Sequence, residues 1–166
     1  MARDSEIVRT ADICDDFGDE LLVCELAFND YAARHHFHGE AVTFATYEDN
    51  QGIREMLAAG GAGKVLVVDG RGSSRRALCG GNIAAEAFKH GWEGMIFNGC
   101  IRDSHEFAEL DFGVKALGST AMPPHKNGIG KSGVSLYMGN VAIHPGDYVY
   151  ADQDAVIVLQ RPVHES

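Results

Sequence analysis

The run Val65-Leu66-Val67-Val68 limits the fold most strongly, because four consecutive apolar residues place hydrophobic side chains on both faces of an extended strand. Such a strand needs cover on both sides and belongs inside a layered α/β domain. Asp69-Gly70 breaks the run sharply. Asn82 to His90 then reads as a helix with Ile83, Ala87 and Phe88 turned inward and Gly91 past its end. Met95 to Asn98 reads as the next buried strand, with Gly99 to Asp103 as its exit loop.

Other elements gather around this centre. Thr10 to Phe17 is expected as a short helix capped by Thr10, with Ile13, Cys14 and Phe17 on one side. Gly39 to Tyr47 is β-branched and aromatic and reads as a strand, after which Asn50 caps a helix that turns Ile53, Met56 and Leu57 inward. Gly60, Gly61 and Gly63 end that helix, and a short strand is expected over Arg75 to Cys79. In the C-terminal third, Val134 to Leu136, Val141 to Ile143, Tyr148 to Tyr150 and Ala155 to Leu159 are short strands between glycine, proline and aspartate turns. The 166 residues, 45% of them hydrophobic, suffice for one domain that buries about two-thirds of its unfolded surface.

Charge and cysteine usage exclude several functions. With 24 acidic against 14 basic residues the net charge is −10, which repels phosphate backbones and anionic lipids, and the group Arg71, Arg75 and Arg76 is too small to offset it. No apolar run approaches the roughly 18 to 20 residues of a membrane span. Neither nucleic acid nor membrane is an expected partner. Cys14, Cys24, Cys79 and Cys100 form no pair at zinc-site spacing and read as reduced thiols, so a cytoplasmic location is expected.

Three nucleotide-like stretches fail on spacing. Gly63-Lys64 has Ala58 at the first P-loop glycine and Val65 at the hydroxyl position, and Gly130-Lys131-Ser132 has His125 at the first glycine. Asp69-Gly70-Arg71-Gly72 follows a strand, yet Arg75 stands at the third glycine of the dinucleotide fingerprint. His35, His36 and His38 are expected at the surface, since neighbours in an extended segment point to opposite faces. Lys115 lies in the most apolar stretch of the lysines and is expected to reach solvent.

One constellation carries chemistry. Gly80-Gly81 directly precedes the Asn82 helix, so backbone amides unshielded by side chains can cradle a carboxylate there. Arg102 and Asp103 leave the C-terminal end of a buried strand, the edge where open α/β sheets bind ligands. A guanidinium fork grips a carboxylate, and an adjacent aspartate is a hard oxygen ligand for magnesium or manganese. Together they suit a small 2-oxo acid, whose cleavage beyond carbon 3 leaves an enolate needing charge stabilisation.

KVLVVDGRGSSRRALCGGN from Lys64 to Asn82, GWEGMIFNGCIRD from Gly91 to Asp103 and YADQDAVIV from Tyr150 to Val158 resemble the RraA-like family, which includes the 4-hydroxy-4-methyl-2-oxoglutarate aldolases. Members with aldolase activity carry a glycine, twenty residues, Arg-Asp, two residues and an acid; here these are Gly81, Arg102, Asp103 and Glu106. The resemblance implies that Gly80, Gly81, Asn82, Ile83 and Arg102 bind a pyruvate moiety and that Asp103 holds a divalent cation. It implies cleavage of 4-hydroxy-4-methyl-2-oxoglutarate to two pyruvates and, secondarily, decarboxylation of oxaloacetate. It also implies a single β/β/α swivelling-type domain, an α-β-β-α sandwich, assembled as a ring-like homotrimer with sites near subunit interfaces. Arg71 replaces a glycine common in the family and places a large cation near the presumed site. The general base stays open among Glu48, Asp69, Glu106 and a bound water. The alternative reading is that of family members that inhibit an endoribonuclease by binding it, with no need of the Arg-Asp pair.

Overall fold

The computed structural model describes residues 7–164. Its central sheet is built on four parallel strands: β3 (Phe37–Ala45), β4 (Lys64–Asp69), β6 (Gly94–Ile101) and β7 (Gly113–Ser119). β11 (Tyr148–Ala151), β12 (Val156–Leu159) and β1 (Leu22–Val23) extend it antiparallel beyond β3, and β2 (Asn29–Asp30) pairs antiparallel with β7 at the other side. Two short strands lie off this path, β5 (Ala77–Cys79) beside the end of β6 and β8 (Lys131–Ser132) beside the end of β3.

The apolar run of β4 does what two-sided burial requires. Leu66 and Val68 pack in a core with Ile53 and Leu57 of α2 (Gln51–Ala58) and with Ile83, Ala84 and Ala87 of α3 (Gly81–Lys89). Val65 and Val67 face the opposite core, closed by the hairpin of β9 (Leu136–Met138) and β10 (Val141–Ile143). All four side chains have zero exposure, each contributing about 1.5 to 3 kcal/mol of burial. Gly139 and Asn140 join the hairpin with φ of 58° and 62°, the backbone of a turn whose twist matches the paired strands. The result is an α/β fold in β/β/α layers, as expected.

Several local expectations change in the folded chain. Helix α1 (Thr10–Phe17) packs Ile13 against Tyr150, Ile157 and Leu159, but Thr10 does not cap it. Arg9 holds the cap position, while the Thr10 amide and hydroxyl donate to the two carboxylate oxygens of Asp152 at 2.7 and 2.8 Å. Asn50 stands at the cap of α2, where its carbonyl accepts from the Ile53 amide but its side chain does not cap; the side-chain amide donates instead to the Leu78 carbonyl at 3.1 Å. The expected exit loop after Asn98 is strand as far as Ile101, because β5 supplies pairing partners there. Phe88 is 44% exposed rather than buried.

Lys115 does not reach solvent. It is 3% exposed within β7, directly across from Asp30 of β2, and its Nζ lies 2.9 Å from Asp30 Oδ1. A carboxylate from a strand far away in sequence satisfies the charge. Of the three histidines only His35 is exposed as expected; His36 and His38 are partly buried, His38 with its Nδ1 2.7 Å from the Tyr148 hydroxyl, and among the described residues no group of three His, Cys, Asp or Glu side chains is placed to hold a metal. No helix among the described residues is long and apolar enough to cross a membrane, and all four cysteines are free thiols.

Candidate active site

The site is set by two neighbouring strands that end together. β5 and β6 run parallel, with Cys79 in register with Ile101, and the Arg102 amide donates to the Cys79 carbonyl at 2.9 Å. The residues that follow, Gly80-Gly81 and Arg102-Asp103, therefore leave the sheet side by side. The twenty-residue gap between Gly81 and Arg102 is the length of one helix and one strand returning to the same edge.

The glycines are explained by what crowds them. A Cβ on Gly80 would lie 2.9 Å from Asp103 Oδ2 and 3.5 Å from Arg102 Nε. On Gly81 a Cβ would occupy the space of the Glu106 carboxylate. Gly81 opens α3, and its amide donates to Asp103 Oδ2 at 3.3 Å. Asp103 has left-handed backbone angles, φ 57° and ψ 40°, which cost on the order of 1 kcal/mol in a non-glycine residue. That conformation starts the tight turn Ser104–Glu106, in which the Glu106 amide bonds the Asp103 carbonyl at 2.9 Å and the buried Phe107 anchors the end. The turn swings Glu106 back over α3. All four residues of the spaced pattern thus meet in one place.

Asn82 and Ile83 contribute differently. Asn82 is exposed in the first turn of α3, whereas the Ile83 side chain is 3% exposed in the core, leaving only its backbone amide for a ligand. Cys79 lies fully buried beneath Gly80, and burial, with the Asp103 charge adding, pushes its thiol well up. It is inert as a nucleophile.

The three carboxylates considered as a base separate clearly. Glu48 is 3% exposed and gripped by Arg75, whose Nε and Nη2 reach Oε1 and Oε2 at 2.9 and 3.2 Å; Ser73 also donates to it. The Arg75 hydrogen bonds hold that carboxyl below its ordinary range, so it is a poor proton acceptor near neutrality. Asp69 Oδ1 accepts from Asn98 Nδ2 at 2.9 Å and from the Arg71 amide at 3.0 Å. Glu106 alone stands with Arg102 and Asp103. Arg71 lines a different cleft, with Asp69 and Lys131, whose walls do not include Arg102 or Asp103.

A divalent cation fits the donor set in one manner. Asp103 is exposed, and among the described residues only its Oδ2 is engaged, by a single amide. One carboxylate with water and substrate oxygens completing the shell is a usual arrangement for magnesium, which keeps several of its waters.

The chain has counterparts in both sequence and fold. The model of the RraA-like family, described as Aldolase/RraA, matches residues 10–158, and the chain belongs to that family. A protein of Alkalilimnicola ehrlichii, provisionally named 4-hydroxy-4-methyl-2-oxoglutarate aldolase, is 47% identical over 154 residues, covering 93% of this chain and 96% of its own. A solved structure from Geobacillus kaustophilus, described as an S-adenosylmethionine:2-dimethylmenaquinone methyltransferase, superposes with a TM-score of 0.92 at 45% identity, over 94% of this chain and 97% of that one. The RNA-processing inhibitor RraA of Thermus thermophilus superposes with a TM-score of 0.91 at 37% identity, over 95% of each chain. Three functional descriptions share one fold, so the fold cannot choose among them and the site must.

Proposed function

We propose that the chain is a divalent-metal-dependent lyase that cleaves 4-hydroxy-4-methyl-2-oxoglutarate into two pyruvates, with oxaloacetate decarboxylation as a secondary activity of the same site. The observation that carries this reading is the meeting of Arg102, Asp103 and Glu106 at the N-terminus of α3. Relatives named for the aldolase support it.

Arg102 binds the carboxylate next to the keto group through its guanidinium fork, and the free first-turn amides of Asn82 and Ile83 share that charge. The grip orients carbon 3 and leaves the remainder of the substrate towards Glu106. Loss of the 4-hydroxyl proton lets the bond between carbons 3 and 4 break, its electron pair passing to the pyruvyl half. Glu106 accepts that proton and returns one to carbon 3. A magnesium or manganese ion on Asp103, when bound, supplies Lewis-acid stabilisation for the developing negative charge. Oxaloacetate presents the same keto-acid end and loses carbon dioxide in place of the second pyruvate.

The test is pyruvate release from both substrates by purified protein, with and without chelator. Arg102→Ala and Asp103→Ala are each expected to lose about two or more orders of magnitude, the scale of removing a transition-state charge partner. Full activity in both variants removes the mechanism. A homotrimer is the proposed assembly, checked by mass in solution.

The Thermus thermophilus inhibitor, at a TM-score of 0.91, supports a second reading as a protein-binding regulator of an endoribonuclease. Inhibition of such an enzyme that persists in Arg102→Ala, without pyruvate release by the native chain, favours it.

A further inference from the structure

The chain has a concave feature that the lyase reading does not use. At the C-terminal ends of β3 and β4 lies a cleft of about 430 Å³ whose walls include Thr46, Tyr47, Asp69, Arg71, Ile129 and Lys131. We propose that this cleft is a binding site for a small anion bearing a hydroxyl group, of the hydroxy-acid or sugar-phosphate kind.

The cations make the first argument. In a chain of net charge −10, two of the 14 basic residues line one cleft. Arg34, Arg75, Arg76, Lys115 and Arg161 each have a carboxylate within 4.0 Å, while Arg71 and Lys131 have none among the described residues. Two unpaired cations sharing one concavity attract an anion rather than each other.

The walls make the second. Arg71 is held at φ 57°, a conformation that strains a long side chain such as arginine, and the Asp69 carboxylate fixes it there by accepting its amide at 3.0 Å. The Thr46 hydroxyl lies 2.8 and 2.9 Å from the carbonyl oxygens of Asp49 and Ile129, which share its single proton, and it ties the 129–131 segment to the end of β3. Gly130 approaches so closely that a Cβ there would lie 2.8 Å from the Ala45 carbonyl oxygen. The cleft is preformed.

Asp69 sets the ligand class. Its Oδ1 is engaged by Asn98 and the Arg71 amide, while Oδ2 accepts no hydrogen bond among the described residues. A carboxylate beside two cations repels a bare anion and favours one that also presents a hydroxyl donor. The volume falls at the small end of ligand pockets and leaves ample room for a small hydroxylated anion.

Titration calorimetry on the full chain tests this with L-malate against succinate and D-ribose 5-phosphate against inorganic phosphate, since each pair differs by the hydroxylated part. Binding of malate or ribose 5-phosphate is expected at one site per chain and at least tenfold tighter than that of its partner probe; which of the two binds identifies the source. It should survive Arg102→Ala, which separates it from the lyase site, and weaken at least tenfold in Arg71→Gly and in Lys131→Met. Arg71→Gly relieves the left-handed strain, so its melting temperature without ligand should not fall, and lost binding then reports the guanidinium. No heat with any probe, equal affinity within each pair, loss in Arg102→Ala, or unchanged affinity in both cleft variants overturns the proposal.

Discussion

The Glu106 carboxylate lies where a side chain on Gly81 would have to be, although the two residues are 25 positions apart in the sequence. The acid is brought there by the left-handed turn at Asp103, and the glycine is needed because the acid is there. Gly81→Ala should therefore push Glu106 off α3 while leaving the helix intact, since alanine is the better helix former. A loss of pyruvate release on the order of 100-fold is expected from a displacement of about 1 Å. Adding Glu106→Ala should restore the melting temperature without restoring turnover. A single variant with native activity shows that the contact is irrelevant to the site.

Asp103→Asn separates charge from shape. Asparagine tolerates left-handed backbone angles as aspartate does, and its side-chain oxygen can still accept the Gly81 amide. The fold should be kept, with the response of turnover to magnesium or manganese lost. Retention of metal-stimulated activity in this variant places the cation on other groups.

Acid should loosen the far end of the sheet. His38 Nδ1 lies 2.7 Å from the Tyr148 hydroxyl, and its ring centroid is 4.3 Å from that of His164, which itself pairs with Tyr150 at 2.7 Å. Burial, followed by the charges of His164, His36 and Arg34, pushes the His38 imidazole down to about 4. Unfolded histidine titrates near 6.5, so below that pH the unfolded chain takes up a proton that the folded chain refuses. The stability from neutral His38 is full above about pH 6.5 and disappears as the pH falls through about 4. Melting temperatures measured from pH 7 to 4 should fall, and His38→Gln should flatten part of that slope. Identical slopes refute the assignment.

The pair Lys115–Asp30 should show the asymmetry of buried charges. Asp30→Ala leaves a cation 3% exposed and unpaired, at a cost of about 3 kcal/mol. Asp30→Ala combined with Lys115→Met should recover most of that loss, because no charge is left stranded. Denaturant unfolding can be followed through Trp92, the one tryptophan, which is 4% exposed. A double variant no more stable than Asp30→Ala contradicts the account.

These cases mark what the sequence discloses. β4, α3 and β6 were legible because apolar runs and helical spacing are local signals, and the spacing Gly81, Arg102, Asp103 and Glu106 picked out a group that the fold brings together. The burial of Lys115 is not legible because its partner lies 85 residues away on an adjacent strand, nor is the role of Thr10, whose acceptor is 142 residues away. The same holds for β1, β2 and β8, of two residues each, which exist only through pairing with distant strands. The grip of Arg75 on Glu48, which disqualifies that carboxylate as a base, likewise crosses from one loop to another.

Strand β12 lies between β1 and β11, and the Asp152 carboxylate just before it ties down the start of α1. The ribosome delivers this segment after every other strand described. Until then the growing chain has β1 without a neighbour and α1 without an anchor, so the N-terminal elements must wait, unpaired, for the arrival of residues made some 130 positions later. Chaperone dependence during synthesis, more than fragility of the finished molecule, is the vulnerability such a layout creates.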